Sequence, residues 1–511
     1  MTSFNTLSEM IAQQPAQAIA MTAPAGVPLT YGALNALLAC TAKALNALGV
    51  HRGDRVGIVL PNCPEMAVGF VAIASACTAA PLNMAYRADE LEFYLSDLKA
   101  KAVVVAEGAA TPAREVAAKL GIAVLEIRAL PEQGAGTFEL VGSPIASPSG
   151  GNPATGGFAG ADDIALILHT SGTTSRPKIV PLSHRNVCAS ARNISRTLNL
   201  TADDCELHVM PLFHIHGLIA GVLAPMAVGS RIFCTPGFNA LKFFGWMKEA
   251  KPTWYTAVPT MHQTILARAG GNMDVIAAHP LRFIRSSSSS MPTQVIAELE
   301  AVFKAPLIES YGMTEAAHQM ASNPLPPARR IPGSVGIAAG PEVAIMNDAG
   351  ALLPPGAQGE IVIRGENVTL GYENNPKANA EAFTHGWFRT GDQGTMDAEG
   401  YVTLTGRLKE IINRGGEKVS PLEVDEVLMD HPAVAQVVTF AMPHDKLGEE
   451  VAAAVVLREG KSATDREIRE FAATRLADFK VPRKILIMDE IPKGATGKLQ
   501  RIGLAKKLGL V

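Results

Sequence analysis

Along the first 140 residues the apolar positions switch between two periods. Between Tyr31 and Leu48 they recur at three- and four-residue intervals and predict a helix, while Arg55–Leu60 and Ala102–Ala106 are short, mostly apolar runs that predict strands. This alternation is an α/β pattern. A connector rich in Gly, Pro, Ser and Ala spans 143–160. After it the pattern resumes: Ile164–Leu168 predicts a buried strand, and Leu281–Arg285 another that runs into five serines, Ser286–Ser290. Beyond Pro332 the runs shorten (Val343–Met346, Glu360–Arg364, Tyr401–Thr405) between Gly and Pro turns, which predicts a small antiparallel sheet or barrel. Further on, Ser420-Pro421-Leu422-Glu423 and Thr464-Asp465-Arg466-Glu467 have the capping-box pattern, and Val434–Ala441, Val451–Leu457 and Ile485–Met488 predict strands around those helices.

Charge sharpens the last boundary. Residues 410–511 carry 16 Lys+Arg and 16 Asp+Glu, about twice the charge density of the rest, so this tail exposes proportionally more surface and reads as a separate α+β unit. The expected organisation is a large N-terminal domain over 1–408, made of α/β subdomains at about 1–160 and 161–330 and a β-barrel-like part at 331–408. A small C-terminal domain follows at 409–511. A chain of 511 residues suits three or four such units. With 45 Lys+Arg against 48 Asp+Glu and no basic block, a nucleic-acid partner is not expected. No Lys or Arg precedes Lys43, unlike a secretory or transit segment, so a cytoplasmic location is expected. Met66–Leu82 is uncharged but rich in Ala, Gly, Ser and Thr, and predicts a buried helix rather than membrane insertion. Six scattered cysteines lack zinc-site or disulfide spacing and are expected to be reduced core thiols.

The candidate chemistry begins at His169–Lys178, where small hydroxyls, a glycine and two cations follow the strand Ile164–Leu168. This reads as a phosphate cradle: backbone N–H groups converge on an anion, Gly172 permits close approach, and Lys178 supplies a point charge. A Ser/Thr-rich surface loop is the competing reading of that stretch alone. Tyr311-Gly312-Met313-Thr314-Glu315 offers an aromatic face, a hydroxyl and a carboxylate in one short stretch. Thr390-Gly391-Asp392 offers a carboxylate after a tight turn. Arg407 and Lys409 sit at the charge boundary, and Lys498 closes Pro492-Lys493-Gly494-Ala495-Thr496-Gly497-Lys498.

In this order and spacing the motifs resemble those of the adenylate-forming superfamily of acyl-CoA synthetases, luciferases and carrier-loading adenylation domains, over nearly the whole chain. Ile179, where relatives often have Gly, is a small departure. The resemblance implies an AMP-forming acid–thiol ligase using ATP, Mg²⁺ and coenzyme A. A carboxylate attacks the α-phosphate, pyrophosphate leaves, and a thiol then attacks the acyl-adenylate, which splits one difficult step into two easier ones. It implies that Thr170, Ser171, Gly172, Thr173, Thr174 and Lys178 hold the β- and γ-phosphates, that Glu315 holds Mg²⁺, and that Thr314 contacts phosphate. Tyr311 would then lie against adenine, Asp392 on the ribose with Arg407 beside it, and Lys498 on the charge developing at the α-phosphate. Two domain arrangements are implied, with a mobile small domain hinged at Lys409. In one of them Gly415 and Gly416 line the CoA channel. The Lys498 segment is in relatives a target of reversible lysine acylation, so a lysine acyltransferase or deacylase is a conceivable partner.

For the acid, Phe213-His214-Ile215-His216-Gly217, the serine run and His318 bring polar donors where a long-chain pocket would be apolar. With Trp254–Pro259, Asn323–Pro326 and Asn413–Lys418 they resemble the oxalate-CoA ligase group. His214, Ser288, Ser290 and His318 are the candidate pocket residues. A histidine metal site is not expected, since His214 and His216 have no obvious third ligand. Malonate, acetate or another short acid, loading of a carrier protein, and a catalytically dead nucleotide-binding regulator are the competing readings.

Overall fold

The computed structural model describes residues 3–145, 156–170, 177–493 and 499–511, and these form four sheets. The first has seven strands, in spatial order Phe138–Val141, Ala123–Ala129, Ala102–Ala106, Arg55–Val59, Thr78–Pro81, Ile164–Thr170 and Lys178–Ser183. The second has nine: Ile337–Ala338, His318–Ser322, Leu307–Met313, Phe283–Ser286, Trp254–Ala257, Cys205–His208, Arg231–Cys234, Ile19–Thr22 and Leu29–Thr30. The sheets interleave along the chain. Ile19–Thr22 pairs in parallel with Arg231–Cys234, while Ile164–Thr170 reaches back to pair with Thr78–Pro81.

The remaining two sheets are smaller. Glu342–Met346, Gln358–Arg364, Phe383–Thr384, Trp387–Met396 and Val402–Arg407 form an antiparallel sheet, the expected β-rich part. The C-terminal α+β unit contains Ile412–Arg414, Glu417–Val419, Val434–His444, Gly448–Leu457 and Lys484–Ile487. Its helix Asp465–Ala473 starts in the expected reciprocal capping box on Thr464, and Ser420 caps Pro421–Met429 through the Glu423 N–H. The Met66–Leu82 stretch divides into the helix Pro64–Ala74, buried from Met66 on, and the strand Thr78–Pro81. No described helix is long and apolar enough to cross a membrane. All six cysteines are free, but Cys40 is exposed and Cys63 only partly buried, so four of the six are the expected core thiols.

What positions the site is the parallel centre of the nine-stranded sheet. Trp254–Ala257, Phe283–Ser286 and Leu307–Met313 run side by side, so the loops after their carboxyl ends gather at one edge, where open α/β sheets bind ligands. The next strand, His318–Ser322, returns antiparallel from that edge.

Glu309 sits buried on the strand Leu307–Met313. Burial pushes its carboxyl up to about 8, against the pull of the Gly333 N–H that donates to it at 3.1 Å, and Glu426 of the small domain reinforces the rise. A carboxyl that holds its proton longer when folded makes folding take up a proton between about pH 4.5 and 8, so stability falls as pH rises through that window. Glu309→Gln keeps an acceptor for Gly333 and cannot ionise. Its melting temperature relative to wild type is therefore expected to climb between pH 5 and pH 8, as read by thermal unfolding at both values; an equal offset at the two would refute the assignment.

Candidate active site

The strands that flank the predicted phosphate loop pair antiparallel, with Thr170 opposite Lys178. Ser171, Gly172, Thr173 and Thr174 lie outside the described residues, as does Lys498. Lys178 leaves the loop with its ammonium 4.2 Å from the centre of the Tyr372 ring, and the Tyr372 hydroxyl donates to Glu315 Oε1 at 2.8 Å. Glu315 is buried on the short 3-10 turn Thr314–Ala316, with half-buried Thr314 beside it. Burial pushes its carboxyl pKa upward; the Tyr372 hydroxyl, Lys178 and Arg407 pull the other way.

Tyr311, Asp392 and Arg407 form a second connected group. Asp392 and Arg407 are register partners on adjacent strands, which sets their side chains on one face of the sheet. Arg407 Nε donates to Asp392 Oδ1 at 3.0 Å, and the Tyr311 hydroxyl donates to Asp392 Oδ2 at 2.6 Å. Asp392 lies within the strand Trp387–Met396 rather than after a free-standing turn. Gly391, at φ +75°, kinks that strand, and its N–H donates to Glu360 at 2.8 Å.

The third group was only partly foreseen, and its centre is a residue that sequence reasoning passed over. Arg285 lies within the strand Phe283–Ser286 and is fully buried, yet among the described residues no carboxylate lies within ion-pair distance of it. Its guanidinium donates to His216 Nε2 (3.2 Å), Thr256 Oγ1 (3.3 Å), His318 Nε2 (3.2 Å) and Gln319 Oε1 (3.3 Å), and Arg285 Nε has no partner. Burial lowers its pKa to about 9, so it remains charged at neutral pH. His216 and His318 stack at 4.8 Å, and His216 Nδ1 lies 3.0 Å from the hydroxyl of half-buried Ser288. Three residues of this wall hold positive φ without being glycine: Ser288 (+77°), Ala317 (+47°) and His318 (+95°). Such strain collects at functional sites.

His214 stands at the edge of the group, with Nδ1 accepting the His216 N–H at 3.3 Å, and Ser290 is exposed beyond it. His216 opens a buried π-helix, His216–Leu223. A Cβ on Gly217 would lie 2.2 Å from the Pro211 carbonyl oxygen, so only glycine lets the chain fold back there. On the small domain, Gly415 (φ +60°) and Gly416 (φ +101°) form the turn of the hairpin between Ile412–Arg414 and Glu417–Val419, and Lys409 is exposed between the domains' sheets. Among the described residues no group of three or more His, Cys, Asp or Glu side chains is arranged to hold a metal ion.

A tyrosine-bound acid beside a lysine, and a strand-paired Asp/Arg with a tyrosine, are surroundings suited to a nucleotide, and comparison with known proteins agrees. Residues 7–373 match the AMP-binding enzyme model and residues 423–498 the AMP-binding enzyme C-terminal domain. The chain belongs to the AMP-binding enzyme family. Among its relatives are an oxalate–CoA ligase of Arabidopsis thaliana, 46% identical over 484 residues (93% of this chain, 92% of the relative), and one of Saccharomyces cerevisiae, 43% identical over 483 residues (89% and 87%). The ATP-bound MatB structure from Rhodopseudomonas palustris superposes with a TM-score of 0.86 at 29% identity, over 98% of this chain and 97% of that one. This AMP-binding enzyme is an AMP-forming acid–CoA ligase, with a large N-terminal and a small C-terminal domain.

Proposed function

We propose that this ligase activates oxalate, forming oxalyl-adenylate and then oxalyl-CoA with release of pyrophosphate and AMP. The observation that carries the proposal is the wall around Arg285: a buried cation without a carboxylate partner, behind two imidazoles and a serine. Oxalate keeps one carboxylate charged while the other is activated, and a buried charge costs several kcal/mol unless donors and an opposite charge meet it. The wall supplies both. Two relatives that are oxalate–CoA ligases support the same acid.

On this reading Thr170 to Lys178 hold the β- and γ-phosphates, Thr314 contacts phosphate, Tyr311 lies along adenine, and Asp392 with Arg407 takes the ribose. Mg²⁺ would lie at Glu315. One buried carboxylate beside the phosphate-facing Lys178 suits a cation that takes few protein ligands and completes its shell from phosphates. When bound, the ion neutralises phosphate charge; the chain's own part is to hold the triphosphate in line for the acid. Lys498 meets the charge that builds on the α-phosphate, and rotation about Lys409 then brings Gly415 and Gly416 to the CoA thiol.

The test is pyrophosphate release with ATP, Mg²⁺ and CoA across oxalate, malonate, acetate, butyrate and a long-chain acid. Oxalate is expected to give the highest kcat/KM. His318→Ala is expected to raise the KM for oxalate by about tenfold or more, with the KM for ATP nearly unchanged, since it removes a polar group from the acid wall alone. A monocarboxylate preferred by wild type would overturn the acid assignment.

A further inference from the structure

A guanidinium has N–H groups and no acceptor, so wherever it meets an imidazole the imidazole must accept. Arg285 meets two: its two terminal nitrogens each lie 3.2 Å from an Nε2, of His216 and of His318. Both Nε2 atoms therefore accept, and the Thr256 hydroxyl, which accepts from Arg285, donates to that of His216 at 2.6 Å, so both rings are neutral with their proton on Nδ1. Gln319 is locked into the same polarity. Its amide nitrogen donates to Thr197 Oγ1 at 3.2 Å and to the Ala339 carbonyl at 3.1 Å, which leaves its oxygen facing Arg285.

Donation then runs outward in one direction. The Nδ1–H of His216 donates to Ser288 Oγ at 3.0 Å, which leaves the Ser288 hydroxyl proton available to a further acceptor. Charge at the back of the wall is in this way converted into donors toward the front, without protonating either histidine.

We infer that Arg285 is the residue that sets the specificity of this ligase for a small acid bearing a second negative charge. It does so by fixing His216 and His318 in the Nδ1–H tautomer and by supplying a buried cation that the second carboxylate balances. The inference rests on the acid-wall reading above and adds to it the residue that polarises the wall. Arg285 is a positioning residue: it acts through the imidazoles and Ser288 rather than by contact with the reacting carboxylate.

The decisive measurement needs no acid. Ring ¹⁵N spectra of histidine-labelled wild-type enzyme at pH 7, with signals assigned by His216→Gln and His318→Gln, are expected to show both rings neutral and protonated on Nδ1. Protonation of either Nε2 would overturn the inference even if Arg285 variants fail to fold. In the kinetic arm, run with whichever acid wild type prefers, Arg285→Gln is expected to raise the KM for the acid about 10- to 100-fold, leave the KM for ATP within about twofold, and restore an Nε2–H signal. Arg285→Lys keeps the charge but cannot span both rings, so it is expected to fall between Gln and wild type. Equal rises in both KM values would reduce Arg285 to a packing residue. A wild-type preference for acetate together with the expected ring spectra would sink the oxalate reading while leaving the tautomer assignment intact.

Discussion

Lys498→Ala is expected to lower pyrophosphate release from ATP and acid by about 10²- to 10³-fold, while acyl-CoA formation from a supplied acyl-adenylate stays within about threefold of wild type. In the first half-reaction two anions approach, a carboxylate and an α-phosphate, and charge accumulates on oxygen with no proton to take it. A lysine placed there acts only in that transition state. Thiol attack on an adenylate already made has no such need. Lys498 itself lies outside the described residues, but the chain on both sides of it is anchored. Lys493 pairs with Leu499, and Arg501 makes ion pairs with Asp425 at 2.6 Å and with Glu410 at 3.4 Å. Glu410 adjoins the proposed hinge at Lys409, so a rotation there would carry this end of the small domain with it. The two half-reactions are separated by measuring pyrophosphate release and, independently, CoA consumption with synthetic adenylate. A parallel fall in both would argue against alternation between two arrangements.

How much of this was legible in the sequence depends on the range over which each feature is determined. Ala102–Ala106 is a strand because five small and β-branched apolar residues lie together between turns, and its bounds match the prediction. The return of Ile19–Thr22 to pair with Arg231–Cys234, more than 200 positions away, leaves no local mark, so the interleaving of the two large sheets could not be read. The residues proposed for the nucleotide stood out as motifs, though the partner of Glu315 did not: Tyr372 lies 57 residues further on and meets it only through the fold. The group around Arg285, proposed as the acid wall, was half legible. His318 and Ser288 were named, but of the two histidines in Phe213–Gly217 it is His216 that reaches Arg285 and Ser288, because the unforeseen π-helix turns it inward. Arg285 carried one signal, a cation directly after the apolar pair Phe283-Ile284 and before the serine run. Its burial depends on the strands to either side, Trp254–Ala257 and Leu307–Met313.

Gly312→Ala is expected to cost the enzyme both of its substrates at once. A Cβ at Gly312 would stand 1.9 Å from the His318 carbonyl oxygen and 2.6 Å from its carbon, and neither is the end of a flexible side chain that could move aside. The hairpin from Leu307–Met313 to His318–Ser322 would have to open by more than about an ångström, a rearrangement whose cost is about 1–3 kcal/mol or more. On one side of that glycine is Tyr311, bonded to Asp392, and on the facing strand, opposite Met313, is His318, bonded to Arg285. The proposed nucleotide and acid halves of the site are thus held by the two strands of a single hairpin. Opening it displaces both, so the KM for ATP and the KM for the acid are expected to rise together, with a lowered melting temperature. This contrasts with Arg285→Gln and His318→Ala, which act on the acid alone. Steady-state kinetics of the three variants side by side would show whether the hairpin couples the halves: a Gly312→Ala enzyme whose KM for ATP is unchanged would mean that Tyr311 and Asp392 keep their places independently, and that the two substrate sites are separate modules rather than one strand-bound unit.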